Sequence, residues 1–301
     1  MLPLVLWLGC SGGDVPDKDD ESTGLFPETG ETDLDMDGCR AWLSDQHDPS
    51  PPMGCTSGEL DWRAEMLSVG ATVFPVGDSR YAVIWLPESW AQGDPLLYVV
   101  HNSDGCGEQL LSFWDSVRGD RSLGFVAISY RSQGAADYDT EPVIYDNLTG
   151  VHTELSAHCP VAASAKVYYG FSRGAGRGYG ISFLDRSAEV PYLDGYILDS
   201  GTTRPNPNDT ERGVLDGASY WLWCGGRDPD PINSSALLCD TMAGSLVPFL
   251  EEYGGSVQLT EDPDGCHGMF FDCGDTCGDC RLRRDGADGD FPSVFDFISD
   301  L

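Results

Sequence analysis

From about residue 71 onward, short runs rich in β-branched and aromatic residues alternate with longer stretches of helical periodicity. That alternation constrains the fold more than any other feature. Residues 96–100 (Leu-Leu-Tyr-Val-Val) are continuously apolar, the pattern of a strand buried on both faces of a parallel sheet. Similar runs occur at 125–130, 167–171, 196–198, 220–224 and 257–260. Helical patterns separate them at 108–117, 145–157, 174–185 and 235–253, and a last one closes the chain at 291–301. Ahead of these, 71–76 and 80–86 flank Gly77-Asp78-Ser79 as a hairpin would. This order predicts an α/β fold with a mostly parallel central sheet, helices on both faces and an N-terminal antiparallel hairpin. No repeat period is visible, which argues against solenoids and propellers.

The chain has 301 residues and is 41% hydrophobic, enough for one large domain with a true core. Its 50 acidic residues outnumber 17 basic ones, giving a formal charge of -33. Such a surface repels phosphate backbones and argues against nucleic acid as a partner. Eleven cysteines point to an oxidising compartment.

Residues 11–38 are rich in Asp, Glu, Thr, Gly and Pro and read as an acidic, flexible linker ahead of a domain at 39–301. Asp33, Asp35 and Asp37 before Gly38 imitate a calcium loop, but Ser44 stands where its bidentate Glu is required. Cys39 and Cys55 flank a Pro-rich turn and are expected to staple its base.

Chemistry concentrates around Gly170-Phe171-Ser172-Arg173-Gly174. With this chain's Gly and Ser content, chance alone supplies roughly 0.4 such Gly-x-Ser-x-Gly matches, so its force lies in its setting. An apolar strand precedes it and a small-residue helix start follows. A turn that tight excludes side chains at Gly170 and Gly174 and sets the Ser172 hydroxyl at a helix N-terminus, as a nucleophile requires. Of five histidines, His267 in Gly265-Cys266-His267-Gly268 follows the last expected strand and is the best general base. His47 lies in the Pro-rich region, and His152 and His158 precede the serine near a helix. The orienting acid is expected after the penultimate strand, where Gly225-Gly226-Arg227-Asp228 places Asp228 first; Asp230 is the reserve and Asp199 third. Two backbone amides, of Arg173 and of Ser103 in the loop His101-Asn102-Ser103, are the expected oxyanion donors. His101 reads as a structural partner of that loop. Tyr130, Arg131 and Trp114 lie near enough in this pattern to border a pocket, with core packing the preferred reading of the aromatics. Cys266, Cys273, Cys277 and Cys280 crowd the histidine loop; zinc is an alternative, but disulfides that pin the loop are favoured.

These segments, in the order nucleophile, acid, base, resemble the α/β-hydrolase superfamily. With the hairpin strand Arg80-Tyr81-Ala82-Val83-Ile84-Trp85-Leu86-Pro87, they resemble its secreted esterases, the polyhydroxybutyrate-depolymerase-like and feruloyl-esterase-like proteins. The family opens the oxyanion loop with His-Gly, whereas here Asn102 follows His101. The resemblance implies the α/β-hydrolase fold and a serine hydrolase that cleaves carboxylic esters, small or polymeric, through an acyl-enzyme, without cofactor or metal. A peptidase of the same fold and a non-catalytic, surface-displayed binding protein are the alternatives. The loop at 201–216 leaves no room for a helical lid. Residues 1–10, an apolar run ending Leu8-Gly9-Cys10, resemble a bacterial lipoprotein signal, although no basic residue precedes the run. Lipidation at Cys10 would then be the only tie to a membrane, in an exported, lipid-anchored protein.

Overall fold

The computed structural model describes residues 34–50, 61–76, 80–130, 138–162, 164–202, 212–229, 236–273, 277, 280–282 and 291–301. Cys10, the linker up to Asp33, Cys55, Arg131 and Asp230 lie outside the described residues. So do the hairpin turn and most of the loop expected at 201–216.

Two short helices come first, α1 (Met36–Gln46) and α2 (Trp62–Ser68). Each begins at an aspartate whose carboxylate accepts a backbone N–H of the first turn: Asp35 from Gly38, and Asp61 from Ala64. α1 therefore starts inside the stretch read as linker. Its inward stripe is only Cys39 and Leu43, four residues apart, too sparse to stand out from an acidic sequence. Cys39 is bonded to Cys159 at the end of a helix 120 residues on, not to Cys55. The reason is geometric: Cys39 faces the core from α1, and the two Cα atoms stand 4.6 Å apart.

The expected alternation follows. The strands are β1 (Thr72–Pro75), β2 (Tyr81–Trp85), β3 (Leu96–Val100), β4 (Gly124–Ile128), β5 (Lys166–Phe171), β6 (Gly195–Asp199), β7 (Ser219–Gly225) and β8 (Ser256–Asp262). The intervening helices are α3 (Gly107–Arg118), α4 (Glu141–His158), α5 (Arg173–Arg186), and α6 (Leu238–Thr241) with α7 (Val247–Glu252). A small hairpin of β9 (Phe271–Cys273) and β10 (Cys280–Leu282) precedes α8 (Phe291–Ser299). Among the described residues one eight-stranded sheet has the order β1-β2-β4-β3-β5-β6-β7-β8. β1, β2 and β4 pair antiparallel; every pairing from β4 through β3 to β8 is parallel.

Alternate strand residues build two cores. Tyr98, Val100, Tyr168, Leu198 and Leu222 pack beneath α1, α4, α5, α6 and α7, while Leu97, Val99, Tyr169, Ile197 and Trp221 pack against α2, α3 and α8. Both faces are thus covered, as continuous apolar strands require.

The helix expected at 235–253 is interrupted by a π-helical turn, Met242–Leu246. Pro248 explains it: the ring has no N–H and crowds the carbonyl four residues back, so Val247 N–H reaches to Met242 five residues back. At the free edge of β1, His47 Nδ1 accepts Val73 N–H and Asp48 N–H donates to Val73 O. His47 thus blunts a sheet edge.

Candidate functional site

The site lies at the carboxyl ends of the parallel strands. Ser172 directly follows β5 and caps α5, with φ 54° and ψ −109°. A non-glycine residue adopts that conformation only where its surroundings enforce it. Here the Ser172 N–H donates to Asp199 O at 2.7 Å, and Ser172 O accepts Gly176 N–H at 3.0 Å. The flanking glycines are sterically required. A Cβ on Gly174 would lie 2.1 Å from Val100 O, and one on Gly170 would lie 2.5 Å from the Gly174 backbone. α5 can therefore press its first turn against the end of β3.

His267 lies in the loop after β8. Its Nε2 is 2.9 Å from Ser172 Oγ and its Nδ1 is 2.6 Å from Asp228 Oδ2. The Asp228 side chain is 7% exposed and that of His267 42%, so the relay runs from a buried carboxylate to an imidazole open to the cleft. Burial alone would push the His267 pKa down; the hydrogen bond and charge of Asp228, with the charge of Asp199, outweigh it and hold it above 6.5. The loops carrying acid and base are zipped together. Gly226 N–H donates to Asp262 O, Arg227 N–H to Gly265 O, and the Arg227 guanidinium to Asp264 O. A Cβ on Gly225 would lie 2.0 Å from Cys266 O, which is why the Gly-Gly turn is needed. Among the described residues two disulfides brace these loops: Cys224–Cys239 at the end of β7, and Cys266–Cys277 beside the histidine. The second uses two of the four cysteines weighed as zinc ligands. The Phe171 ring packs 5.3 Å from the imidazole.

Across the cleft, the loop after β3 is held largely by side chains. His101 is buried; its Nδ1 bonds Asn102 O at 2.9 Å and its carbonyl accepts the Tyr130 hydroxyl at 2.7 Å. Asp104, at φ 60°, donates its N–H to Tyr138 Oη at 2.6 Å. The Ser103 N–H has no protein partner among the described residues, and the N–H of Arg173, first in α5, has none within the helix. The two residues meet directly, Arg173 Nε donating to Ser103 Oγ at 2.9 Å, with the guanidinium 4.2 Å above the Tyr138 ring. The structure therefore brings Ser172, His267, Asp228, Ser103 and Arg173 to one cleft. Asp199 is excluded from the acid position, since Nδ1 of His267 is taken by Asp228. Tyr130 and Trp114 are fully buried, and His152 is a buried partner of Tyr98 and Ser156. Tyr138 was not legible in the sequence, because nothing local marks a tyrosine as the lid of a loop 34 residues earlier.

No family model and no curated protein sequence matches the chain. Solved structures do. A carboxylesterase from Mesorhizobium loti is similar with a TM-score of 0.52 at 12% identity, covering 77% of this chain and 99% of that one. A carboxylesterase from Bacillus cereus is similar with a TM-score of 0.50 at 16% identity, covering 74% of this chain and 95% of that one. With the sheet order and the turn at Ser172, these likenesses define the α/β-hydrolase fold.

Proposed function

We propose that the protein is a serine hydrolase that cleaves carboxylic esters. One observation carries this reading: the continuous relay Ser172–His267–Asp228, at 2.9 and 2.6 Å, on a strand-turn-helix that holds the serine at positive φ. The similarity to two carboxylesterases supports esters as the substrate class.

In this reading Ser172 Oγ attacks the ester carbonyl while His267 Nε2 takes its proton. Asp228 holds the Nδ1 proton and stabilises the imidazolium. The carbonyl oxygen, now an anion, accepts hydrogen bonds from the amide N–H groups of Arg173 and Ser103 in this reading. His267 returns its proton to the leaving alcohol, and water, activated by the same imidazole, then releases the acid from Ser172. The substrate is a small or polymeric ester. The exposed edge of His267 suits an alcohol portion that extends into solvent.

The test is labelling with a fluorophosphonate and turnover of a short p-nitrophenyl ester. The wild type is expected to do both and Ser172→Ala neither. A folded wild type that fails to label would favour the non-catalytic binding protein, and undiminished Ser172→Ala turnover would refute the nucleophile. The disulfides among the described residues fit an exported protein. Anchoring through a lipid on Cys10 extends this reading, and an unchanged membrane fraction for Cys10→Ala would disprove it.

A further inference from the structure

Among the described residues, three non-glycine residues have positive φ: Asp104, Ser172 and Ser200. Two belong to the oxyanion loop and the nucleophile turn. The third, at φ 56°, has no part in the relay, yet strained backbone of this kind persists only where neighbours enforce it. Ser200 follows β6 and is pinned by its N–H to Trp223 O at 3.0 Å. That conformation points its Oγ both ways: it donates to Asp199 Oδ1 at 2.9 Å and accepts Gly268 N–H at 3.0 Å, the residue after His267.

Asp199 is itself fully buried. Its carboxylate accepts the Tyr169 hydroxyl at 2.9 Å, the Ser200 hydroxyl, and Met269 N–H at 3.2 Å, while its main-chain oxygen accepts Ser172 N–H at 2.7 Å. One dipeptide therefore bonds the backbone of the nucleophile and the backbone of both residues after the base. A buried carboxylate is costly without partners. This one is supplied with three donors, which keeps its charge available to the imidazole.

We infer that Asp199 and Ser200 are a positioning pair: they tie the Ser172 turn to the His267 loop and set a second carboxylate, besides Asp228, whose charge acts on His267. The inference rests on the proposed use of Ser172 and His267, and it deepens that reading. Among the described residues the groups facing His267 are Ser172, Phe171 and Asp228, with Asp199 acting through its charge; those facing Asp199 are Tyr169, Ser200, Met269 N–H and the charge of His267. Burial raises the Asp199 pKa to about 6 against the lowering effect of its three hydrogen bonds and of His267, so it is ionised over most of the range in which an imidazole acts as base.

The experiment follows the His267 ring protons by NMR across pH in wild type, Asp199→Asn and Ser200→Ala, assigned with His267→Gln, alongside fluorophosphonate labelling rates. The NMR arm needs no catalysis, so it judges the charge of Asp199 even if the hydrolase reading fails. Asp199→Asn is expected to lower the His267 midpoint, by less than Asp228→Asn does. Ser200→Ala retains the Asp199 carboxylate but removes one of its three hydrogen bonds, so it is expected to lower the midpoint by less than Asp199→Asn does while slowing labelling at the plateau by about tenfold or more. A folded Asp199→Asn with an unmoved midpoint overturns the electrostatic role. Wild-type labelling in Ser200→Ala overturns the tie, and that arm stands even if Asp199→Asn does not fold. Labelling absent from wild type with the midpoint shifted as expected would instead locate the failure in the hydrolase reading.

Discussion

His267 Nε2 stands 2.9 Å from Ser172 Oγ across 95 positions of sequence, and the same imidazole reaches back to Asp228 with its other nitrogen. Because two carboxylates hold its pKa above 6.5 against burial, the imidazole is protonated, and useless as a base, over a wider acid range than a free histidine. Turnover of a p-nitrophenyl ester is therefore expected to rise with pH through a midpoint above 6.5. Asp228→Asn removes the largest raising influence, so the midpoint moves down, and the plateau falls by about four orders of magnitude because the wrong tautomer faces the serine. Profiles of kcat/KM from about pH 5 to about pH 9 check both; an unmoved midpoint in Asp228→Asn contradicts the assignment.

Gly174 and Gly150 make opposite predictions for the same substitution. Gly174→Ala would drive a Cβ to 2.1 Å from Val100 O, in the backbone of a central strand that cannot yield, and is expected to cost about 2–3 kcal/mol or more. Gly150, within α4, has nothing within 4 Å of where its Cβ would stand. Gly150→Ala is expected to add about 0.5–1 kcal/mol. Urea unfolding of the two variants measures the contrast.

The disulfides differ in access. Cys39 and Cys159 are both fully buried, whereas Cys277 is exposed. Mild reductant is expected to open Cys266–Cys277 while Cys39–Cys159 stays closed. Esterase activity should fall as the histidine loop loosens, with far-UV circular dichroism unchanged. Alkylation mapped by mass spectrometry gives the order of opening; Cys39 alkylated first would contradict it.

Arg173 and Ser103 join the two segments that supply the proposed oxyanion donors. Arg173→Met and Ser103→Ala leave both backbone amides in place; both remove the bond between the side chains, and Arg173→Met also removes the guanidinium stacked on the Tyr138 ring. Each is expected to lower kcat with little change in KM, and the double variant to be no worse than the more damaging single one. A coupling energy of about 1 kcal/mol in the double-mutant cycle is expected; strict additivity would mean that the bond does not hold the loop.

Asn102 shows where reading along the chain stops. Next to His101 it looks like a defect in the oxyanion loop, since a glycine is usual there. In the folded chain the left-handed residue is Asp104 instead, and Tyr130, Tyr138 and Arg173 hold the loop from elements further along the sequence. The loop is built by distant neighbours as well as by its own bonds to Asn102 O.

The sequence by itself determined what depends on local pattern. Apolar runs of strand length, the periodic stretches between them and the glycines around Ser172 settled the alternation and the strand-turn-helix at the serine, because each is decided by sterics and burial within a few residues. Asp228 and His267 were legible because parallel strands deliver their following loops to one edge of a sheet. Only the tertiary structure decided which side chains meet there: Cys39 with Cys159, Arg173 with Ser103 and Tyr138, and Asp199 and Ser200 with the residues after His267. Those partners come from different strands and helices, and their meeting follows from sheet order and packing, which no local pattern encodes.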